Sequence, residues 1–157
     1  MSIVLTRLDD RLIHGQVVVG WVQHLGVKRI VLVDDEVRSN AWEQELYTLG
    51  VPGDITVEFA SVDEAVQAVR DWNADPTRTL LLAGRVDAIV RLCEGTDVIR
   101  KINVGGLHEG SGRTQRLAFV YLTGEEAEQL RRLHDQGVEV SAQDVPTANR
   151  APLKDWA

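Results

Sequence analysis

The apolar positions of this chain fall into two alternating patterns. Short apolar runs of strand length stand at 2–8, 29–33, 55–59, 79–83, 99–104, 116–122 and 138–144, and such runs read as strands. Between most of them lie segments whose apolar residues recur at helical spacing. In "QVVVGWVQHLG", Val17, Val18, Trp21, Val22 and Leu25 form one stripe. Ser61 with Glu64 reads as a capping box that opens a helix over 62–73. Thr123 with Glu126 does the same for 124–136, and Gly137 stands where a helix-ending glycine belongs. Weaker helical patterns cover 39–49 and 86–93. The segment 105–115, "GGLHEGSGRTQ", reads as a glycine-rich loop joining two strands without a helix.

Strand and helix alternating at this spacing predict an α/β fold: one three-layer α/β/α domain around a central, mainly parallel sheet of six or seven strands. The domain is expected over 1–147. Residues 148–157 are expected to form a C-terminal tail, because Pro152 interrupts any element there. In open sheets of this kind, ligands bind beyond the carboxyl ends of the strands. The loops that matter are therefore 9–15, 34–39, 84–86 and 105–113.

Composition narrows the field. A chain of 157 residues with 44% apolar and 26% charged residues is an ordinary globular domain. A net charge of −7 argues against nucleic acid, which calls for a basic face. One cysteine, Cys93, allows neither an internal disulfide nor a cysteine-rich zinc site, and it fits a reducing compartment. No signal peptide pattern opens the chain, and no apolar run approaches the roughly 20 residues of a membrane span. A cytoplasmic protein is expected.

Candidate chemistry concentrates in "LDDRLIHGQV", residues 8–17. His14 sits between the first strand and the first helix, where free N–H groups and the helix dipole welcome an anion. Gly15 leaves the backbone open to close approach. A positive surrounding, here Arg7 and Arg11, favours the neutral, nucleophilic imidazole. The same arginines suit bidentate contact with phosphoryl oxygens. Asp9 or Asp10 would orient an arginine or the histidine ring. These parts describe a histidine that accepts a phosphoryl group. The plainer alternatives are a surface histidine and an Arg11 that only pairs with a neighbouring aspartate. Asp34 and Asp35 more often end a strand and cap a turn than bind magnesium. Gly105, Gly106, Gly110 and Gly112 match no nucleotide-binding fingerprint, but His108 and Arg113 between them stand near enough to approach a phosphate. Trp21, Trp42 and Trp72 lie in helical patterns and read as packing or interface residues.

"RLDDRLIHGQV" closely resembles the active-site signature of the IIB component of the mannose/fructose/sorbose family of bacterial sugar phosphotransferase systems. "RIVLVDDEV" at 29–37, "INVGGLHEGSGRTQ" at 102–115 and "LTGEEAEQLRRLHDQGVEVSAQDVPT" at 122–147 resemble the family's second strand, glycine loop, and last helix and strand. The resemblance spans about residues 2–147. It implies a phosphotransferase that takes a phosphoryl group from a IIA phosphohistidine onto His14. The group then passes to a hexose-type sugar held by the membrane partners IIC and IID. It implies Arg11 as a phosphoryl-holding residue and the amides around Ile13, Gly15 and Gln16 as its cradle. Asp10 is expected as a catalytic partner. Arg7 is expected at the phosphate, and Gly84, Arg85, His108 and Arg113 are candidates there. No metal and no diffusible cofactor are implied. A homodimer and a regulatory phospho-acceptor without a transport partner remain open. Two departures stand out: Gly84-Arg85 replace a proline frequent in the family, and the glycine loop carries an extra histidine and glycine. No fused IIA domain is expected ahead of the first strand. A receiver-like reading on Asp34 and Asp35 would need a lysine late in the fold, and Lys101 sits in a strand candidate.

Overall fold

The computed structural model describes residues 2–157. Seven strands form one sheet in the order β3-β2-β4-β1-β5-β8-β9. They are β1 (Ile3–Leu8), β2 (Arg29–Val33), β3 (Thr56–Ala60), β4 (Thr79–Ala83), β5 (Lys101–Val104), β8 (Glu139–Ala142) and β9 (Ala151–Pro152). All neighbours run parallel except β9, which pairs antiparallel with β8. The expected three-layer α/β/α domain is therefore the one observed.

Both faces of the sheet are covered, which explains why β2 and β4 read as unbroken apolar runs. Val31, Val33, Leu81 and Ala83 point into the core beneath α4 (Val62–Ala74), α5 (Val86–Glu94) and α6 (Gly124–Asp135). Their alternates Ile30, Leu32, Leu80 and Leu82 point to the other core. There they meet α1, which begins as a wide-turned π-helix at Gln16–Val22 and continues as α-helix at Gln23–Leu25. α2 (Asp35–Arg38) and α3 (Ala41–Leu49) complete that layer. Both sequence-predicted capping boxes form, Ser61 with Glu64 and Thr123 with Glu126.

Two expectations are corrected. The run 116–122 is not a sheet strand: it folds as a separate two-stranded ribbon, β6 (Thr114–Leu117) with β7 (Val120–Leu122). The seventh strand comes instead from the expected tail. Ala151 and Pro152 pair with Ala142 and Ser141, while Leu153 and Trp156 are 4% exposed and belong to the core. Pro152 tolerates this place because an edge strand can do without one N–H. The two apolar side chains beyond it supply the burial that a free tail lacks. Among the described residues, no helix is long and apolar enough to cross a membrane.

Candidate functional site

Four strand-to-helix or strand-to-loop junctions meet at the carboxyl edge of the sheet, and the chain after β1 occupies its centre. β1 lies between β4 and β5, so the residues after Leu8 are flanked from both sides: Asp9 N–H donates to Ala83 and Asp10 N–H to Gly106. The turn that follows is tight. Leu12 N–H donates to Asp9 O at 3.0 Å, and Leu12 adopts φ 61°, alone among the described non-glycine residues in being positive. A branched side chain there costs about 1–2 kcal/mol, and an outlier of this kind often marks a functional loop. The turn brings His14 back over Asp9.

Asp9, fully buried, is the hub. Its Oδ2 accepts from Arg7 Nη2 at 3.2 Å and Arg11 Nη2 at 3.1 Å, and stands 3.4 Å from His14 Nε2. Its Oδ1 accepts from Arg11 Nε and the Arg11 backbone N–H, both at 3.2 Å. Burial works against the Asp9 charge, but His14, Arg11 and Arg7 outweigh it and hold the carboxyl well below the usual carboxylate range. Burial also opposes the charge of Arg11, whose bonds to Asp9 carry its pKa upward on balance. Arg11 Nη2 also donates to Gln16 Oε1 at 2.9 Å, while Nη1 donates to no protein group.

The ring of His14 is held in a defined sense. Nε2 is buried, 3.4 Å from Asp9 Oδ2, with no hydrogen-bond partner among the described residues. Nδ1 makes no hydrogen bond within the protein and is left to solvent, the ring as a whole being 18% exposed. An imidazole with its Nε2–H toward a carboxylate keeps the Nδ1 lone pair free. Next to it α1 begins. α2, α3, α4 and α6 each open with a capping side chain, from Asp34, Asn40, Ser61 and Thr123. α5 has Asp87 in its first turn. α1 alone among these six has neither a cap nor an acid, so its positive end is unspent. A side chain added at Gly15, the residue that opens it, would meet no atom within 4 Å.

The other candidates sort plainly. Arg7 is fully buried and does not reach the rim. It donates to Asn103 Oδ1 and to the carbonyls of Gln143 and Asp144, and stacks 4.9 Å above Trp21. Burial lowers its pKa and Asp9 offsets part of that. An arginine so enclosed is placed to position Asp9, with no exposed surface from which to make the phosphate contact expected of it. Ile13 is buried and Gln16 holds Arg11. Asp10 turns away from His14: its Oδ1 lies 2.5 Å from His108 Nδ1, and its Oδ2 accepts the His108 N–H at 2.7 Å. Arg113 is spent on Glu126 in a bidentate pair and on His108 O. Gly84 is a spacer, since a Cβ there would stand 2.6 Å from Leu12 Cδ2. Arg85 pairs with Asp87 at the start of α5, away from the histidine.

Asp9, not the Asp10 expected as the catalytic partner, is the carboxylate that stands beside His14 and Arg11. Part of the signal was present: Arg7 and Asp9 alternate along β1 and its exit, where alternate residues share a side, and the turn at Asp10–Arg11 brings Arg11 back to the same carboxylate. Gly105 was seen only as part of a loop, yet a Cβ on it would lie 2.1 Å from Arg7 Nη2 and 2.7 Å from Asp9 Oδ2.

A carboxylate-backed histidine thus stands beside an uncapped helix start at the carboxyl edge of a seven-stranded, mainly parallel sheet. The family model of the PTS system sorbose subfamily IIB component matches residues 3–156, and the chain belongs to that family. It is 32% identical over 158 residues to the N-acetylgalactosamine-specific phosphotransferase enzyme IIB component 1 of Escherichia coli K12, covering 98% of both. It is 32% identical over 155 residues to the mannose-specific EIIAB component of the same strain, covering 99% of this chain and 48% of that protein. The chain thus spans about half the length of the EIIAB relatives it matches. Among solved structures, the IIB domain of the sorbose permease from Klebsiella pneumoniae superposes with a TM-score of 0.90 at 25% identity, covering 99% of this chain and 96% of that one. The N-acetylgalactosamine IIB component of Streptococcus pyogenes gives 0.91 at 25%, covering 100% and 98%.

Proposed function

We propose that this protein is a phosphocarrier that takes a phosphoryl group onto His14 Nδ1 from a IIA phosphohistidine. It then delivers the group to a hexose-type sugar bound by membrane IIC and IID partners at the cytoplasmic face. The observation that carries this reading is the orientation of His14: Nε2 toward Asp9, Nδ1 toward solvent beside the uncapped start of α1. The relatives' names include mannose, N-acetylgalactosamine, fructose and sorbose, which supports a hexose-type acceptor.

In the loading step the Nδ1 lone pair attacks phosphorus, the donor N–P bond breaks, and the phosphoryl group moves in line between two rings. Little covalent chemistry falls to the protein, which contributes position and charge dispersal. Asp9 fixes the ring and neutralises the positive charge that forms on it. The free Nη1 of Arg11 and the first N–H groups of α1 suit the equatorial oxygens. No step calls on a metal ion, and the described residues hold no cluster of three or more His, Cys, Asp or Glu with metal-binding geometry.

The test is a reconstituted relay of phosphoenolpyruvate, the general phosphocarrier proteins and a IIA protein of this family, read by intact mass. Wild type gains one acid-labile phosphate. His14→Ala gains none and keeps its circular dichroism spectrum. Phosphate on His14→Ala, or none on wild type with an active control protein, would sink the reading.

A further inference from the structure

His108 is left unexplained by the loading step. It lies in the glycine loop, 98 positions from Asp10 in sequence, yet both oxygens of that one carboxylate hold it: Oδ1 the ring Nδ1 at 2.5 Å, Oδ2 the backbone N–H at 2.7 Å. The opposite ring nitrogen, Nε2, makes no hydrogen bond, and the side chain is 56% exposed. The ring stands on the rim of the His14 site. The place where a Gly106 Cβ would sit is 3.1 Å from His108 Cε1 and 3.1 Å from both Arg11 Nε and Nη2. Arg11 in turn shares Asp9 with His14. The charged groups around His108 are Asp10, Arg11 and Arg113, with Glu126 behind Arg113 and Glu109 adjacent in the chain.

A carboxylate on Nδ1 with Nε2 free is the arrangement of an oriented general base. The relay needs a base in only one of its two steps. Loading moves phosphoryl between two imidazoles, and no hydroxyl proton is released. Unloading onto a sugar forms an O–P bond and breaks the His14 N–P bond, so the sugar hydroxyl must surrender its proton. We infer that His108, oriented by Asp10, is the general base that receives the acceptor hydroxyl proton on Nε2 as the phosphoryl group leaves His14. The proton balance then closes within the site: the electron pair of the broken N–P bond returns to His14 Nδ1, and His108 carries the proton until solvent removes it. Asp10 is a positioning residue for this step, since it faces His108 and not the phosphoryl group.

The inference rests on the proposed loading of His14, and the two fail separately. Wild type and His108→Gln are loaded by the phosphoenolpyruvate relay, then mixed with membranes bearing a mannose-family sugar permease and labelled mannose or N-acetylgalactosamine. Failure of both proteins to load sinks the His14 reading. With both loaded, His108→Gln is expected to slow unloading about 100-fold, far more than it slows loading, consistent with the usual contribution of one base. Asp10→Asn is expected to fall between the two. Equal unloading by wild type and variant overturns the inference. Nitrogen NMR gives an independent check on the unphosphorylated protein: the neutral His108 ring carries its proton on Nδ1, and an Nε2–H ring would overturn the assignment.

Discussion

The chain twice ends a parallel strand with a pair of aspartates: Leu8-Asp9-Asp10 after β1 and Val33-Asp34-Asp35 after β2. Both pairs lie at the carboxyl edge of one sheet. After β2 the acids serve neutral backbone: Asp34 caps α2 through Val37 N–H, and Asp35 accepts from Val62 N–H, each at 2.9 Å. After β1 the first acid disappears from solvent into two arginines and a histidine. What separates them is not the acids. Arg7 and Arg11 stand two residues before and two after Asp9, whereas Leu32 and Glu36 occupy the matching places around Asp34. The bare Gly105 then leaves room for the Arg7 guanidinium. A strand end gathers a charged cluster here because Arg7 shares its pleat and the turn returns Arg11 to it, and it stays a structural cap where no such cations arrive.

That contrast can be broken first at Asp9. Asp9→Asn leaves the buried Arg7 charge without its partner and is expected to cost about 3–5 kcal/mol. Chemical denaturation would read it, with phosphate gain on His14 lost alongside. Arg11→Ala keeps the fold and is expected to slow loading by about 10–1,000-fold, the range for losing one charge-stabilising donor, as read by quenched-flow mass measurement. Acid sharpens the contrast differently. The folded pKa of Asp9 is depressed, so its stabilisation is complete above the ordinary carboxylate value of about 3.9. It is lost progressively as pH falls below that toward the folded value. Glu126, where Arg113 overcomes the effect of burial, adds the same sign. Thermal melts of wild type should therefore decline below about pH 4, and Asp9→Asn should decline less steeply. The smallest effect belongs to the other loop: Asp34→Ala should cost about 1 kcal/mol as a lost helix cap and leave the loading rate within about twofold.

Much of this was legible in the chain. The apolar runs marked six of the seven sheet strands, and the Ser61–Glu64 and Thr123–Glu126 pairs marked two helix starts where the structure has them. His14 and Arg11 stood out by type and place. Three things were not legible, each for a physical reason. Arg7 lies in an apolar strand, and a charge there looks like a rim residue until its partners Asn103, Gln143 and Asp144 arrive from far along the chain. Asp10 was expected as the catalytic partner, but it begins the tight turn after β1, and its carboxylate faces His108. The final residues looked like a tail because the two residues of β9 carry no periodicity, and their place is set by what Leu153 and Trp156 bury.

The short last strand also governs how the molecule treats strangers. An open sheet ends in rows of unpaired N–H and C=O groups that can template another chain's strand and start edge-to-edge polymerisation. Here the β8 side is met by only two residues, and the second is a proline with no N–H to offer. The 3-10 turn at Leu153–Asp155 then takes the chain away from the ladder, anchored by Trp156 Nε1 donating to Ala151 O at 3.0 Å. An incoming strand finds no ladder to extend on that side. For the phosphocarrier proposed above, which would meet its partners at the carboxyl edge, this flank is thereby closed to strand pairing.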